Sequence, residues 1–163
     1  MSDDDCPCGR GAAYADCCEP YHRGAEPEDA ETLMRARFCA FSKGEVGFLV
    51  RTLHKDHDDA ARPADEVEAH LREGLAALNY QELSILDTRP VDDEGVAQVL
   101  FLAKVWCHGK DLSFVELSSF VHDGTGWRYL LGAPLLVSRL SGDAGRLRIT
   151  SFPDAAQGQK GQS

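Results

Sequence analysis

The chain has 163 residues, 43% of them hydrophobic, with 17 Lys and Arg against 27 Asp and Glu for a net charge of −10. That length suits one core-forming domain with a small appendage, and no apolar run approaches the roughly 20 residues of a membrane helix. So acidic a surface repels phosphate backbones, which disfavours nucleic acid as a partner.

Residues 1–24 read as the appendage. Four of the six cysteines, Cys6, Cys8, Cys17 and Cys18, fall there in the pattern C-x-C, eight residues, C-C. Zinc takes four thiolates in a tetrahedron, and Gly9 and Gly11 allow the loop between the two pairs to reverse. Neighbouring cysteines of this kind are badly placed for unstrained disulfides. The acidic start Met1-Ser2-Asp3-Asp4-Asp5 has no apolar run behind it, so no signal peptide is expected. The expected setting is the cytoplasm, where thiols stay reduced. The expectation is one structural zinc ion on Cys6, Cys8, Cys17 and Cys18, with His22 as the alternative fourth ligand. Four thiolates leave no open position for water, so the metal is not expected to be catalytic. Thiolate redox chemistry or metal buffering is the alternative use of the same cluster. Cys39 and Cys107 lie in apolar segments and read as small buried hydrophobes.

Residues 25–153 read as an α+β domain entered through the hinge Gly24-Ala25-Glu26-Pro27. A first helix is expected from about Glu28 to Ser42, with Leu33, Met34, Phe38 and Phe41 on one stripe and Arg35 and Arg37 flanking it. A second is expected over Glu45–Leu53 and a third over Ala64–Leu78, where Val67, Leu71, Leu75 and Leu78 repeat by three and four. The period then changes to two. Strands are expected at about Tyr80–Pro90, Val96–Cys107, Leu112–His122 and Trp127–Gly132, with turn residues between them. In the second strand Ala97, Val99, Phe101, Ala103 and Val105 face one way, and Gln98, Leu100, Leu102, Lys104 and Trp106 the other. The order predicts three helices packed on one face of a curved antiparallel sheet. The open face, with Leu100, Leu102 and Trp106, suits a homodimer contact. Leu135–Phe152 reads as a further hairpin or an extension closing on the sheet, and residues 154–163 as a disordered tail.

A second candidate site lies on the third strand, which puts Phe114, Glu116, Ser118 and Phe120 on one face. If that face lines a pocket, desolvation suits Glu116 to act as a general acid or base, with His54, Trp106 or Tyr129 around it. The competing reading is a glutamate at the solvent edge, or one paired with Arg35, Arg37 or Arg128.

Cys6-Pro7-Cys8-Gly9, Gly11, Tyr14 and Cys17-Cys18 resemble the SEC-C motif, a zinc knuckle named for the SecA C-terminus. Leu33–Phe41, Thr52-Leu53-His54, Glu116–Phe120 and Gly126–Tyr129 are similar, in order, to the YchJ-like family of small bacterial proteins. The resemblance implies an N-terminal zinc knuckle followed by a nuclear transport factor 2-like (cystatin-like) domain, a fold that often encloses an apolar cone for a small molecule. It also implies a docking role, since the knuckle of SecA contacts protein partners and the ribosome. Here Arg10 replaces the usual serine, and Ala12, Ala13, Ala15 and Asp16 stand where lysines are common, so the basic docking face is missing. Phe114 and Val115 stand where family members often carry histidines. The functional expectation is a zinc-binding accessory protein whose knuckle meets a protein partner, in the translation or secretion machinery, rather than an enzyme. The alternative is a small-molecule or enzymatic pocket around Glu116.

Overall fold

The computed structural model describes residues 5–140 and 142–152. Its α-helices are α1 (Glu19–His22), α2 (Ala30–Lys43), α3 (Val46–Arg51) and α4 (Ala64–Leu75), one more than expected because a single turn follows the last cysteine pair. Asp29, in extended conformation, caps α2: its Oδ1 accepts from the Thr32 N–H at 2.7 Å. That cap moves the helix start past Glu28. Gly44 ends the helix at φ 75°, a left-handed conformation that glycine adopts without strain. α4 stops short of Leu78 because Leu78 is drawn into the sheet opposite Cys107.

The strands β1 (Leu78–Arg89), β2 (Val96–Cys107), β3 (Lys110–Asp111), β4 (Phe114–His122) and β5 (Trp127–Leu136) form one antiparallel sheet. The order is β1-β2-β4-β5, with β3 paired to the end of β2. The strand expected from Leu112 begins at Phe114, and the short β3 falls in what the sequence offers as the turn His108-Gly109-Lys110-Asp111. Ser113 Oγ accepts the Val105 N–H at 3.2 Å, so a side chain interrupts the ladder. Bulges between Tyr80 and Glu82, Ile85 and Asp87, and Ser119 and Phe120 bend the sheet.

The concave face packs on the helices. Leu33, Met34 and Phe38 of α2 meet Val99, Phe101, Ala103 and Phe120 in the main core. β2 alternates as its sequence predicts, since Leu100 and Leu102 lie on the opposite side with a second apolar cluster. That side is not open. Beyond Leu136 the chain makes 3-10 turns at Val137–Arg139 and Ala144–Arg146 rather than a hairpin. It crosses the back of the sheet, where the Ile149 N–H donates to Asp87 Oδ2 at 2.9 Å. Ala144, Ile149 and Phe152 cover Leu100, Val115 and Leu135. Leu100 is therefore 0% exposed, and Leu102 and Trp106 are half-buried. Of the residues the sequence offers for a homodimer contact, Leu100 and Leu102 are covered by the chain's own C-terminal segment, and Trp106 lies outside that cluster. Residues 154–163, read as a disordered tail, lie outside the described residues.

Candidate functional site

The knuckle is built by local backbone bonds. Cys6 N–H donates to Ala12 O at 2.9 Å and Gly9 N–H to Cys6 O at 3.2 Å, with Gly9 and Gly11 at φ 84° and 90°. A 3-10 turn over Tyr14–Asp16 then swings Cys17 and Cys18 back toward the first pair. The four Sγ atoms lie within 4.8 Å of one another, with Cys8 to Cys17 at 3.4 Å and Cys17 to Cys18 at 4.0 Å. A zinc ion with sulfur at about 2.3 Å needs tetrahedron edges of about 3.8 Å, so small side-chain adjustments close the cage. All are free thiols. Hydrogen bonds from Cys18, then Cys39 and Cys8, drive the Cys6 thiol far down, while bonds to Cys39 and Cys6 drive Cys18 up. Burial pushes Cys17 up to about 12. Four cysteine sulfurs gathered this closely are a donor set that fits zinc.

The knuckle is seated on α2 rather than hanging from it. Cys6, Cys8 and Cys18 belong to the main core. Arg35 Nη1 donates to Cys8 O at 2.8 Å, and Arg10 Nη2 to Thr32 Oγ1 at 3.1 Å. His22 spans the joint: its Nε2 is 2.9 Å from Ala36 O and its Nδ1 2.7 Å from the Tyr14 hydroxyl. A carbonyl only accepts, so Nε2 carries the proton and Nδ1 accepts from Tyr14. Burial pulls the His22 pKa down, favouring this neutral form. Both ring nitrogens have protein partners, and the sulfurs that lie together are those of Cys6, Cys8, Cys17 and Cys18. Cys39, read as apolar filler, is buried, but its Sγ lies 3.7 Å from that of Cys6, directly against the cluster.

The second site is a cavity of about 230 Å³ between α2 and the concave face. Phe38, Phe41, Tyr80, Phe101 and Phe114 supply its apolar walls. Glu116 and Tyr129 enter from β4 and β5. Ser118 Oγ and Tyr129 OH both donate to Glu116 Oε2, at 2.5 and 3.0 Å. Gly132, opposite Ser118, makes the arrangement possible, because a Cβ there would collide with the Glu116 carboxylate and the Tyr129 hydroxyl. Burial, then the Glu116 charge, pushes the Tyr129 pKa well above its usual 10. Arg37 enters from α2. Its guanidinium lies 4.5 Å over the Tyr129 ring, and its Nη1 donates to Leu49 O at 2.9 Å and Thr52 Oγ1 at 2.7 Å. Burial lowers its pKa to about 10, so it stays cationic at neutral pH. The Tyr129 N–H donates to Thr52 O at 2.8 Å, tying the residues after α3 to the same ring.

Of the expected pocket residues, Glu116 and Tyr129 meet in the cavity, and His54 and Trp106 do not line it. His54 is buried behind Tyr129, its N–H donating to Tyr129 O at 2.9 Å and its Nδ1 accepting from the Asp56 N–H at 3.1 Å. Trp106 pairs with Asn79 at the end of β2, on the face opposite Phe101 and Ala103. The arginine pairing offered for Glu116 is absent among the described residues: Arg35 bonds Glu31, and Arg128 bonds Glu26 and Asp123. Arg37 is the functional residue the sequence reading left at the rim. Its spacing carried the signal, since positions 34, 37, 38 and 41 form one helical stripe that places Arg37 among Met34, Phe38 and Phe41.

Comparison with known proteins agrees with both halves. The family description "YchJ, middle NTF2-like domain" matches residues 29–132, and the SEC-C motif matches residues 4–20. A UPF0225 protein of Xanthomonas oryzae is 40% identical over 131 residues, covering 80% of this chain and 95% of its own. The solution structure of a SEC-C motif containing protein from Rhodopseudomonas palustris has a TM-score of 0.67 at 25% identity, covering 78% of this chain and 96% of its own. The crystal structure of a SEC-C motif containing protein from Psychrobacter arcticus has a TM-score of 0.63 at 24% identity, with coverages of 86% and 89%. No helix among the described residues is long and apolar enough to cross a membrane.

Proposed function

The chain belongs to the YchJ family, a SEC-C motif ahead of a nuclear transport factor 2-like domain, and from that premise we propose that it binds a small molecule in the cavity between α2 and the sheet. The observation that carries this reading is the placement of Arg37 and Glu116 on either side of Tyr129 in one aromatic-walled cavity. A cavity with apolar walls and a few convergent polar groups is the usual form of a ligand site. Glu116, gripped by two hydroxyls, is placed to take or give a proton to what binds there.

The zinc ion has a supporting part in this reading. Cys6, Cys8, Cys17 and Cys18 would hold one ion, and a closed thiolate set supplies structure rather than a reactive water. Arg35 and His22 carry that rigidity into α2, the helix that presents Arg37 and Phe38 to the cavity. Such a site needs reduced thiols, which suits the cytoplasm. Metal analysis of protein purified without chelator is expected to return about one zinc per chain; metal-free folded protein overturns the brace. Fragment screening by NMR is expected to shift the Glu116, Tyr129 and Phe101 resonances together. Shifts confined to the outer surface overturn the pocket.

A protein partner for the knuckle is a separate proposal. The edge open to it is short, chiefly Gly9, Arg10, Gly11, Ala15 and Asp16, and Arg10 already bonds Thr32 and Glu31. Affinity capture compared between wild type and a Cys17→Ser/Cys18→Ser variant tests it, because partners of the knuckle must disappear with the variant.

A further inference from the structure

We infer that the cavity takes a small zwitterion, an amino acid or amino-acid-like molecule with an apolar side chain, its carboxylate on Arg37 and its ammonium on Glu116. The inference rests on the small-molecule reading above and adds the chemistry of the ligand.

Arg37 has unused donors. A guanidinium carries five N–H groups. Nη1 is spent on Leu49 O and Thr52 Oγ1, and among the described residues Nε and Nη2 donate to nothing. No fully enclosed side-chain nitrogen or oxygen among the described residues lacks a partner. The free edge of Arg37 is therefore not fully enclosed, and the residue, only 5% exposed, lines the cavity. Glu116 has an unused acceptor. Its Oε2 takes both hydroxyl bonds, and among the described residues Oε1 takes none.

The two charges face one space without touching. No carboxylate among the described residues lies within 4.0 Å of Arg37. Tyr129 separates the pair, its ring under the guanidinium and its hydroxyl on the carboxylate. Opposite charges in a low-dielectric wall are poorly compensated unless hydrogen-bonded partners satisfy both. A ligand bearing one charge of each sign satisfies both and leaves the site neutral. An acid alone brings a second anion toward Glu116, and an amine alone brings a second cation toward Arg37. The volume, about 230 Å³, suits a side chain of leucine to phenylalanine size, and the aromatic walls stabilise it by excluding water.

The test is calorimetric titration of the zinc-loaded full chain with three probes of one skeleton: phenylalanine, 3-phenylpropionate without the amino group, and phenethylamine without the carboxylate. Phenylalanine is expected to bind at least about tenfold tighter than either. Glu116→Gln, nearly isosteric, should erase its advantage over 3-phenylpropionate while zinc content and circular dichroism stay those of the wild type. Arg37→Met should erase its advantage over phenethylamine; because Arg37 also holds Leu49 and Thr52, the Glu116 variant is decisive if this one misfolds. Equal binding of the three probes overturns the zwitterion and leaves the cavity reading standing. An unchanged preference in Glu116→Gln also overturns it. No binding of any probe, nor of leucine, overturns both readings.

Discussion

Adding one methyl group at Gly132 tests the geometry of the cavity with the smallest perturbation available. Its Cβ falls against the Glu116 carboxylate and the Tyr129 hydroxyl, which are hydrogen-bonded to each other. Gly132 has no positive φ, so the backbone accepts alanine, and the loss of unfolded-chain freedom alone would stabilise by about 0.4–1 kcal/mol. Against that stand overpacking, about 1–3 kcal/mol, and the parting of a hydrogen bond to a charged group, about 1.5–3 kcal/mol. Neither partner is a loose end: Ser118 also holds Glu116 Oε2, and Arg37 lies over the Tyr129 ring. The net cost is about 1.5–5.5 kcal/mol, a fall in Tm of roughly 3–22 °C for a chain of this size. Thermal and urea unfolding followed by circular dichroism, with zinc present, measure it. Tyr129→Phe removes the hydroxyl, so the double variant should cost at least about 1 kcal/mol less than the sum of the singles. A Gly132→Ala protein that melts with the wild type, or strictly additive costs in the cycle, refutes the placement of Glu116 and Tyr129.

Three further outcomes are expected. Cys8→Ser, at a fully buried ligand position, should abolish zinc binding and lower Tm by more than Gly132→Ala does, as for other structural thiolate sites; Cys107→Ser, outside the cluster, should leave metal content unchanged in the same analysis. Burial holds the His22 pKa below its usual 6.5, so the unfolded chain binds that proton first and the stability present above about pH 6.5 is lost as pH falls below it. The stability lead of wild type over His22→Gln, read from urea midpoints, should therefore narrow between about pH 7 and pH 5; a constant lead contradicts the buried neutral imidazole. Ending the chain at Leu136 removes Ala144, Ile149 and Phe152 from the back of the sheet and uncovers Leu100 and Val115. Light scattering is then expected to show dimers or larger species, and a stable monomer argues against that segment as the cover.

The knuckle was legible because its chemistry is local: four cysteines and two turn glycines lie close in sequence, and backbone bonds within residues 6–17 are enough to gather them. The helices and strands were legible for the same reason. The period of apolar residues along one segment states which face is buried, and it named both faces of β2 correctly. The α2 boundary moved only where one side chain, Asp29, took a backbone N–H. What lay opposite each face was not legible. His22 reads as a reserve ligand behind Cys18, and only the fold shows Tyr14 and Ala36 at its two nitrogens. Leu100 and Leu102 read as an open face until the chain beyond Leu136 folds across them. Glu116 could have met any of three arginines. Tertiary packing gave Arg128 to Glu26, 102 positions away, gave Arg35 to Glu31, and left Arg37 facing Glu116 across a tyrosine. Local periodicity sets which side chains leave water, because that depends on neighbours in the chain. The energy of a buried charge depends on what stands within a few ångströms of it, and for Arg37 and Glu116 only the packing of α2 against β4 and β5 determined that.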